Sequence, residues 1–167
     1  MATNLQFIKS HDITSSVANL SVTDCFNSQY EEYKIIGQFN SSGGFADANL
    51  QFIDTSGNVE TGSDYEFGML ILKSETSGAQ FRGTSQSSIV AQMNSGENGS
   101  ANVLNVYNPF SSSSFTFTTV EKGVSFSSGL RAYKMVGVHK LAESMSGFKL
   151  TFDENATSGR ISVYGVL

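Results

Sequence analysis

The chain has 167 residues, a length that fits one domain with its own hydrophobic core. Its formal net charge is −5 and its 10 basic residues are scattered, which excludes the concentrated basic face that nucleic acid requires. The single cysteine excludes an intrachain disulfide and a cysteine-rich metal site, and no apolar run approaches the about 20 residues of a membrane-spanning helix.

Short alternating or apolar runs separated by turn residues predict a chain made of strands. In chain order the predicted strands cover residues 5–8, 17–22, 33–40, 48–53, 65–73, 79–82, 88–93, 103–107, 115–118, 130–141, 148–152 and 160–167. The only helix candidate, 13–27, is rich in β-branched residues, serine and threonine, which argues against a helix. The pattern therefore predicts an all-β, antiparallel β-sandwich or jelly roll.

We expect this sandwich to be a single domain over residues 1–167, in which 1–29 form either an N-terminal arm or edge strands. The single cysteine fits assembly in a reducing cytoplasm, and the first residues lack the basic and apolar regions of a signal peptide. The final run should be tied into a sheet because an apolar terminus is otherwise frayed.

Two segments 100 positions apart share a pattern. Residues 33–37 read YKIIG and residues 133–137 read YKMVG, while LQF at 50–52 is matched by LTF at 150–152. Both copies alternate apolar and polar side chains as half-buried strands do. Internal symmetry and chance convergence of two strands both remain open.

The run 67–72, Phe-Gly-Met-Leu-Ile-Leu, is continuously apolar. Such a run predicts a strand covered on both faces, either in the centre of the core or beneath a neighbouring subunit. Only 15% of residues are charged, below the about 25% that is usual, so the surface is supplied by serine, threonine, asparagine and glycine. A neutral surface of this kind suits protein–protein contacts.

The sequence contains no recognisable reaction centre. His139 lies on an alternating strand, on the same side as Met135, and is interpreted as a structural or interface histidine. Cys25 is interpreted as a small core thiol, and Asp153-Glu154 as turn residues. We therefore predict that the protein is not an enzyme and carries no cofactor.

Asp54, Asn58, Glu60 and Asp64 cluster in sequence and could suggest calcium, but their order does not match an EF-hand loop. Turn chemistry over 54–58 explains the pattern better, so no metal site is assigned. Tyr65, Tyr107 and Phe110 lie near predicted loops and are the candidates for contacts to a glycan or a protein partner.

Three places in the chain carry a resemblance to a known group of proteins. These are YEEYKIIG at 30–37 followed by LQFID at 50–54, RAYKMVG at 131–137, and SGFKL at 146–150 leading to SGRISVYG at 158–165. With these features the chain resembles the small β-rich virion structural proteins of tailed bacteriophages, of the marine and cyanobacterial phage type.

The resemblance implies a virion-surface protein, commonly a homotrimer, that is assembled in the host cytoplasm. The expected function is a capsid decoration, cement or head-fibre subunit that contacts other copies of itself and proteins such as the major capsid protein. The alternative is a tail-fibre or adhesin knob, or a lectin-like module, that binds a host-surface glycan. Neither nucleic acid nor membrane insertion is expected.

Overall fold

A computed structural model describes residues 4–167 as eleven β-strands, and none of these residues lies in a helix. The strands are β1 (Leu5–Ile13), β2 (Val17–Val22), β3 (Glu32–Ser41), β4 (Ala46–Asp54), β5 (Tyr65–Lys73), β6 (Ala79–Gln86), β7 (Ile89–Ser95), β8 (Ser100–Tyr107), β9 (Thr116–Phe126), β10 (Gly129–His139) and β11 (Met145–Val166). Every pairing between them is antiparallel. The prediction of an all-β antiparallel sandwich is confirmed.

The last strand, β11, holds the two layers of the sandwich together. Its first half, 145–152, pairs with β2 and β4, and β4 pairs in turn with β7. Its second half, 156–166, pairs with β1 and β3, and the sheet continues through β8, β9, β10 and β5 to β6. The curled sheet thus forms a small layer and a large layer, and β7 of the small layer contacts β3, β8 and β9 of the large one.

The bend in β11 falls at 153–155, where the side chains are exposed and the pairing registers shift on both sides. Asp153 and Glu154 were predicted to begin a turn, which is wrong, because both lie inside the continuous strand. Asp153 Oδ1 accepts the backbone N–H of Asp47 at 2.7 Å and so fixes β4 beside the bend. Gly159 follows with φ of 148°, and a Cβ there would lie 2.3 Å from the carbonyl oxygen of Gln38. This close approach requires glycine.

The core lies between the layers and follows the alternation of the strands. In β3 the side chains at 33, 35, 37 and 39 are buried, as the sequence predicted, and Ile161 and Val163 of β11 pack in the same cluster. The final strand is tied in as expected, since β11 pairs with both β1 and β3. The helix candidate at 13–27 instead contains β2. β1 and β2 are edge strands, and residues 1–3 of the predicted arm lie outside the described residues.

The two similar segments occupy related places in the fold. β3 and β10 lie in the same layer with β8 and β9 between them, and Gly37 and Gly137 both face the core. In the small layer Leu50 and Leu150 are direct antiparallel partners. Each segment of the two pairs therefore lies in the same layer as its counterpart.

The turn at 54–58 forms as predicted. Asp54 Oδ1 accepts the backbone N–H groups of Ser56 and Asn58, each at 2.8 Å, and Gly57 has φ of 88°. The side-chain amide of Asn58 donates to Asp54 Oδ2 at 3.0 Å, and this hydrogen bond together with the backbone ones lowers the pKa of Asp54. The polar loop predicted at 94–100 is shorter, because β7 extends to Ser95 and β8 begins at Ser100. No helix among residues 4–167 is long and apolar enough to cross a membrane.

A lysine is buried between the layers. Lys122 on β9 is 5% exposed, its ammonium donates a hydrogen bond to the carbonyl of Ala91, and it lies 4.5 Å from the ring centroid of Tyr133. Burial lowers the pKa of Lys122 to about 7, while attraction to Asp47 acts in the opposite direction. The Asp47 carboxylate is itself held in place, because Asn94 donates a hydrogen bond to it.

We predict that Lys122→Met changes how stability depends on pH. Between about pH 7 and the ordinary lysine value of 10.5, the unfolded chain binds one more proton at this position than the folded chain does. The wild type should therefore gain stability relative to Lys122→Met as pH rises through this window, by up to about 1.4 kcal/mol per pH unit. Urea unfolding of both proteins at pH 7, 8, 9 and 10 measures the difference.

Lys149→Met is the matched control, because Lys149 lies on β11 in the small layer with a side chain that is partly exposed to solvent. Its stability difference from the wild type should stay nearly constant over the same pH range. Equal pH dependence in the two variants would contradict the assignment of a buried, easily deprotonated amine to Lys122.

Candidate functional site: the outer face of the large layer

Strand β5 has one covered face and one open face. Ile71 is buried and Met69 packs against the core, whereas Leu70 is 51% exposed and Leu72 is 60% exposed. The prediction that 67–72 is covered on both faces is therefore wrong for the single chain. The second alternative from the sequence, in which a neighbouring subunit covers this strand, remains compatible with the structure.

The open side of β5 continues across the large layer. Residues that are directly opposite each other on neighbouring strands point to the same face of the sheet. Leu70 is opposite Lys134, which is opposite Glu121 on the next strand. Glu121 is opposite Val103, and Val103 is opposite Ile36, so all five residues lie on one face. We call this surface the outer apolar face. Its apolar members are Ile36, Leu70, Leu72, Val103, Phe117, Ala132 and Val136.

The side chains of the outer apolar face are accessible in the single chain. Val136 is 52% exposed, Phe117 is 43% exposed and Ile36 is 42% exposed. Shallow depressions run along the face between these side chains, and the most apolar one is lined by Leu72 and Ala132 among others. Contiguous apolar surface of this kind marks interaction sites in soluble proteins.

One ion pair interrupts the outer apolar face near its centre. Lys134 Nζ lies 3.3 Å from Glu121 Oε1, and both side chains are more than 70% exposed. Water screens a pair this exposed, so it contributes little to the stability of the single chain. Glu32, Lys34 and Glu66 lie nearer the border of the same face, so its charges are of both signs.

Tyr65, a predicted contact residue, is not on the surface. It is 0% exposed, and its hydroxyl donates to the carbonyl of Glu60 and accepts from the N–H of Phe52, each at 3.0 Å. Its ring packs on His139 with a centroid distance of 4.5 Å. Tyr65 therefore has no open ring face on which a sugar could stack.

The other two predicted contact residues are partly exposed but lie in different surroundings. Tyr107 is on β8, at the border of the outer apolar face, and its hydroxyl lies 3.3 Å from the hydroxyl of Thr119. Phe110 follows Pro109 and lines a separate depression with Tyr30. The fold does not bring the three aromatic residues together into one platform.

His139 is buried on the same face of β10 as Met135, as the alternation predicted. Burial lowers the pKa of its imidazole, with Asp64 acting in the opposite direction. One ring nitrogen lies within 4.8 Å of carboxylate oxygens of both Glu60 and Glu143. Among residues 4–167 these three side chains form the one cluster that could hold a metal ion. The sequence analysis grouped Glu60 with Asp54, Asn58 and Asp64 instead.

Cys25 is a core thiol, as predicted. It is 0% exposed, its Sγ lies 3.5 Å from the carbonyl oxygen of Val22, and burial raises the pKa of the thiol to about 12. Because the reactive form is the thiolate, this cysteine is unsuited to act as a nucleophile near neutral pH.

We predict that Cys25 does not react with the thiol reagent DTNB at pH 8 while the protein is folded. One equivalent should react as soon as the chain is unfolded in guanidinium chloride, which serves as the control. Absorbance at the wavelength of the released thiolate follows the reaction. Complete labelling of the folded protein within minutes would contradict the buried position of this thiol.

The fold is an all-β sandwich whose large layer carries an exposed apolar face. Comparison with known proteins adds no assignment, because the chain matches no family model and no curated protein. The function proposed next therefore depends on the chain's own residues.

Proposed function

We propose that the protein is a non-enzymatic structural subunit of a bacteriophage virion that associates through its outer apolar face with further copies of itself. The observation that carries this proposal is the exposure of Leu70, Leu72 and Val136 side by side on one face of the large layer. In a single chain these side chains contact water, and burying them against a partner is favourable by about 25 cal/mol per Å² of apolar surface.

The charges on the outer apolar face favour a second copy as the occupant. Glu121 and Lys134 are adjacent and highly exposed, so the surface is self-complementary: the acid of one copy can meet the base of another. Around a three-fold axis the contact between copies is heterologous, so different parts of the outer apolar face meet: the Glu121 side of one copy can contact the Lys134 side of the next. A partner with a strongly basic or acidic surface would gain less from this neutral pair.

The virion setting of this proposal is supported by the resemblance carried by residues 30–37, 131–137 and 146–165. A β-sandwich with a serine- and asparagine-rich surface suits a subunit that is used in many copies and docks on proteins such as the major capsid protein. A homotrimer on the virion surface is the assembly proposed here, and the outer apolar face is the part of each subunit that the neighbouring copy covers.

We predict that the wild type is a homotrimer in solution and that the double substitution Leu70→Asp with Leu72→Asp makes it monomeric. Both side chains are more than half exposed, so the charged replacements should leave the fold intact while preventing burial of this face. Light scattering coupled to size-exclusion chromatography should show the mass falling from three times 17.9 kDa to a single chain. Circular dichroism checks that the strands are retained.

Phe81→Asp is the control. Phe81 is 54% exposed on β6, but it is aligned with Met69 and so lies on the opposite face of the large layer. This variant should keep the mass of the wild type. A wild type that is monomeric at high concentration, or one that is absent from purified phage particles by mass spectrometry, would refute the proposed function.

A further inference from the structure

Three side chains that are far apart in sequence meet beside the end of β10. His139 is the last residue of that strand, Glu60 lies in the connection from β4 to β5, and Glu143 lies between β10 and β11. One ring nitrogen of His139 and one carboxylate oxygen from each glutamate all lie within 4.8 Å of one another. The cluster therefore joins a connection from the small layer to a strand of the large layer.

The imidazole at the base of this cluster is buried without a hydrogen-bond partner. His139 is 0% exposed, and neither its Nδ1 nor its Nε2 is paired. Oε1 of Glu143 is also buried and unpaired. Buried polar atoms in native proteins are nearly always satisfied, so three such atoms in one place indicate that a further group belongs there.

The charges of the side chains in this cluster favour the binding of a cation. Carboxylate oxygens of Glu60 and Glu143 lie within 4.8 Å of each other, so two acidic side chains meet at the same place. Among the described residues no lysine or arginine forms an ion pair with Glu60 or Glu143. Lys140, next to His139 in the chain, binds Glu66 at 2.6 Å instead.

We propose that Glu60, His139 and Glu143 bind one divalent transition-metal ion, and that Zn²⁺ is the ion that fits them best. An imidazole nitrogen with two carboxylate oxygens is a donor set typical of Zn²⁺, whereas Ca²⁺ and Mg²⁺ prefer oxygen alone. Ligand atoms around tetrahedral Zn²⁺ lie about 3.3 Å apart, from bonds of about 2.0 Å. The partly exposed Glu60 and Glu143 need only small rotations to reach this spacing.

The residues around the cluster are arranged to hold these ligands in place. The Tyr65 hydroxyl donates to the backbone carbonyl of Glu60 at 3.0 Å, and the Tyr65 ring packs on the imidazole. Thr116 is the cross-strand partner of His139, and its buried hydroxyl is also unpaired. A histidine that binds a metal usually donates its other ring N–H to an oxygen, and the Thr116 hydroxyl lies at the directly opposite position on β9. The bound ion cross-links the two layers of the sandwich.

The test is titration of ZnCl₂ into the full chain after treatment with EDTA and dialysis, followed by isothermal calorimetry and thermal unfolding. The wild type should bind about one ion per chain, and Tm should rise by about 5 °C or more when free Zn²⁺ is 100 times Kd. Glu60→Gln and Glu143→Gln should each weaken binding at least tenfold. These glutamates are partly exposed, so both variants should fold, and circular dichroism checks this.

Two controls separate this cluster from ordinary surface binding. His11→Gln removes the other histidine of the chain, which is exposed on β1, and Glu31→Gln removes an exposed acid that precedes β3. Both controls should bind Zn²⁺ as the wild type does. CaCl₂ is the comparison probe and should bind at least tenfold more weakly, because Ca²⁺ does not favour the imidazole nitrogen.

Three results would each overturn the proposal: no binding heat and no change in Tm up to 1 mM ZnCl₂, unchanged Zn²⁺ affinity in both glutamine variants, or Ca²⁺ affinity equal to that for Zn²⁺. None of these results bears on the subunit interface, since the cluster faces the core side of β10 and the outer apolar face is on its other side. The metal site and the proposed structural role can therefore fail independently.

Discussion

The continuous hydrogen bonding of β11 is the constraint on which the rest of the structure depends. Its 22 residues pair with four other strands, two in each layer. Because the same strand belongs to both layers, the bend at 153–155 sets the position of one layer over the other. That position determines which side chains form the core. It also determines that Lys122 is buried and that Glu60 lies close to His139.

Much of the fold can be predicted from local patterns, because alternation shows directly which side chains face the core. The strand over 33–40 and the turn over 54–58 are examples, since each depends on residues that are neighbours in sequence. The continuity of β11 cannot be predicted in this way. Asp153 and Glu154 have the composition of a turn, and only their pairing with distant strands shows that the chain passes straight through them.

The functional surfaces illustrate the same limit. The apolar run at 67–72 indicates a strand, but only the strand order reveals that no other element covers Leu70 and Leu72. The position of Tyr65 near a loop suggested an exposed ring, whereas the hydrogen bonds of its hydroxyl to the backbone draw it into the core. His139 could be placed on the buried face by alternation, but its acidic neighbours come from two connections that only the folded chain brings together.

The sharing of β11 has a consequence for biosynthesis. Its partners β1 to β4 are made first, and each lacks one of its paired neighbours until β11 has been made. Until then, those earlier strands have unpaired edges that can pair with other nascent chains. Contacts between such distant parts of a sequence also form slowly. Closure of the two layers should therefore wait until β11 has been made.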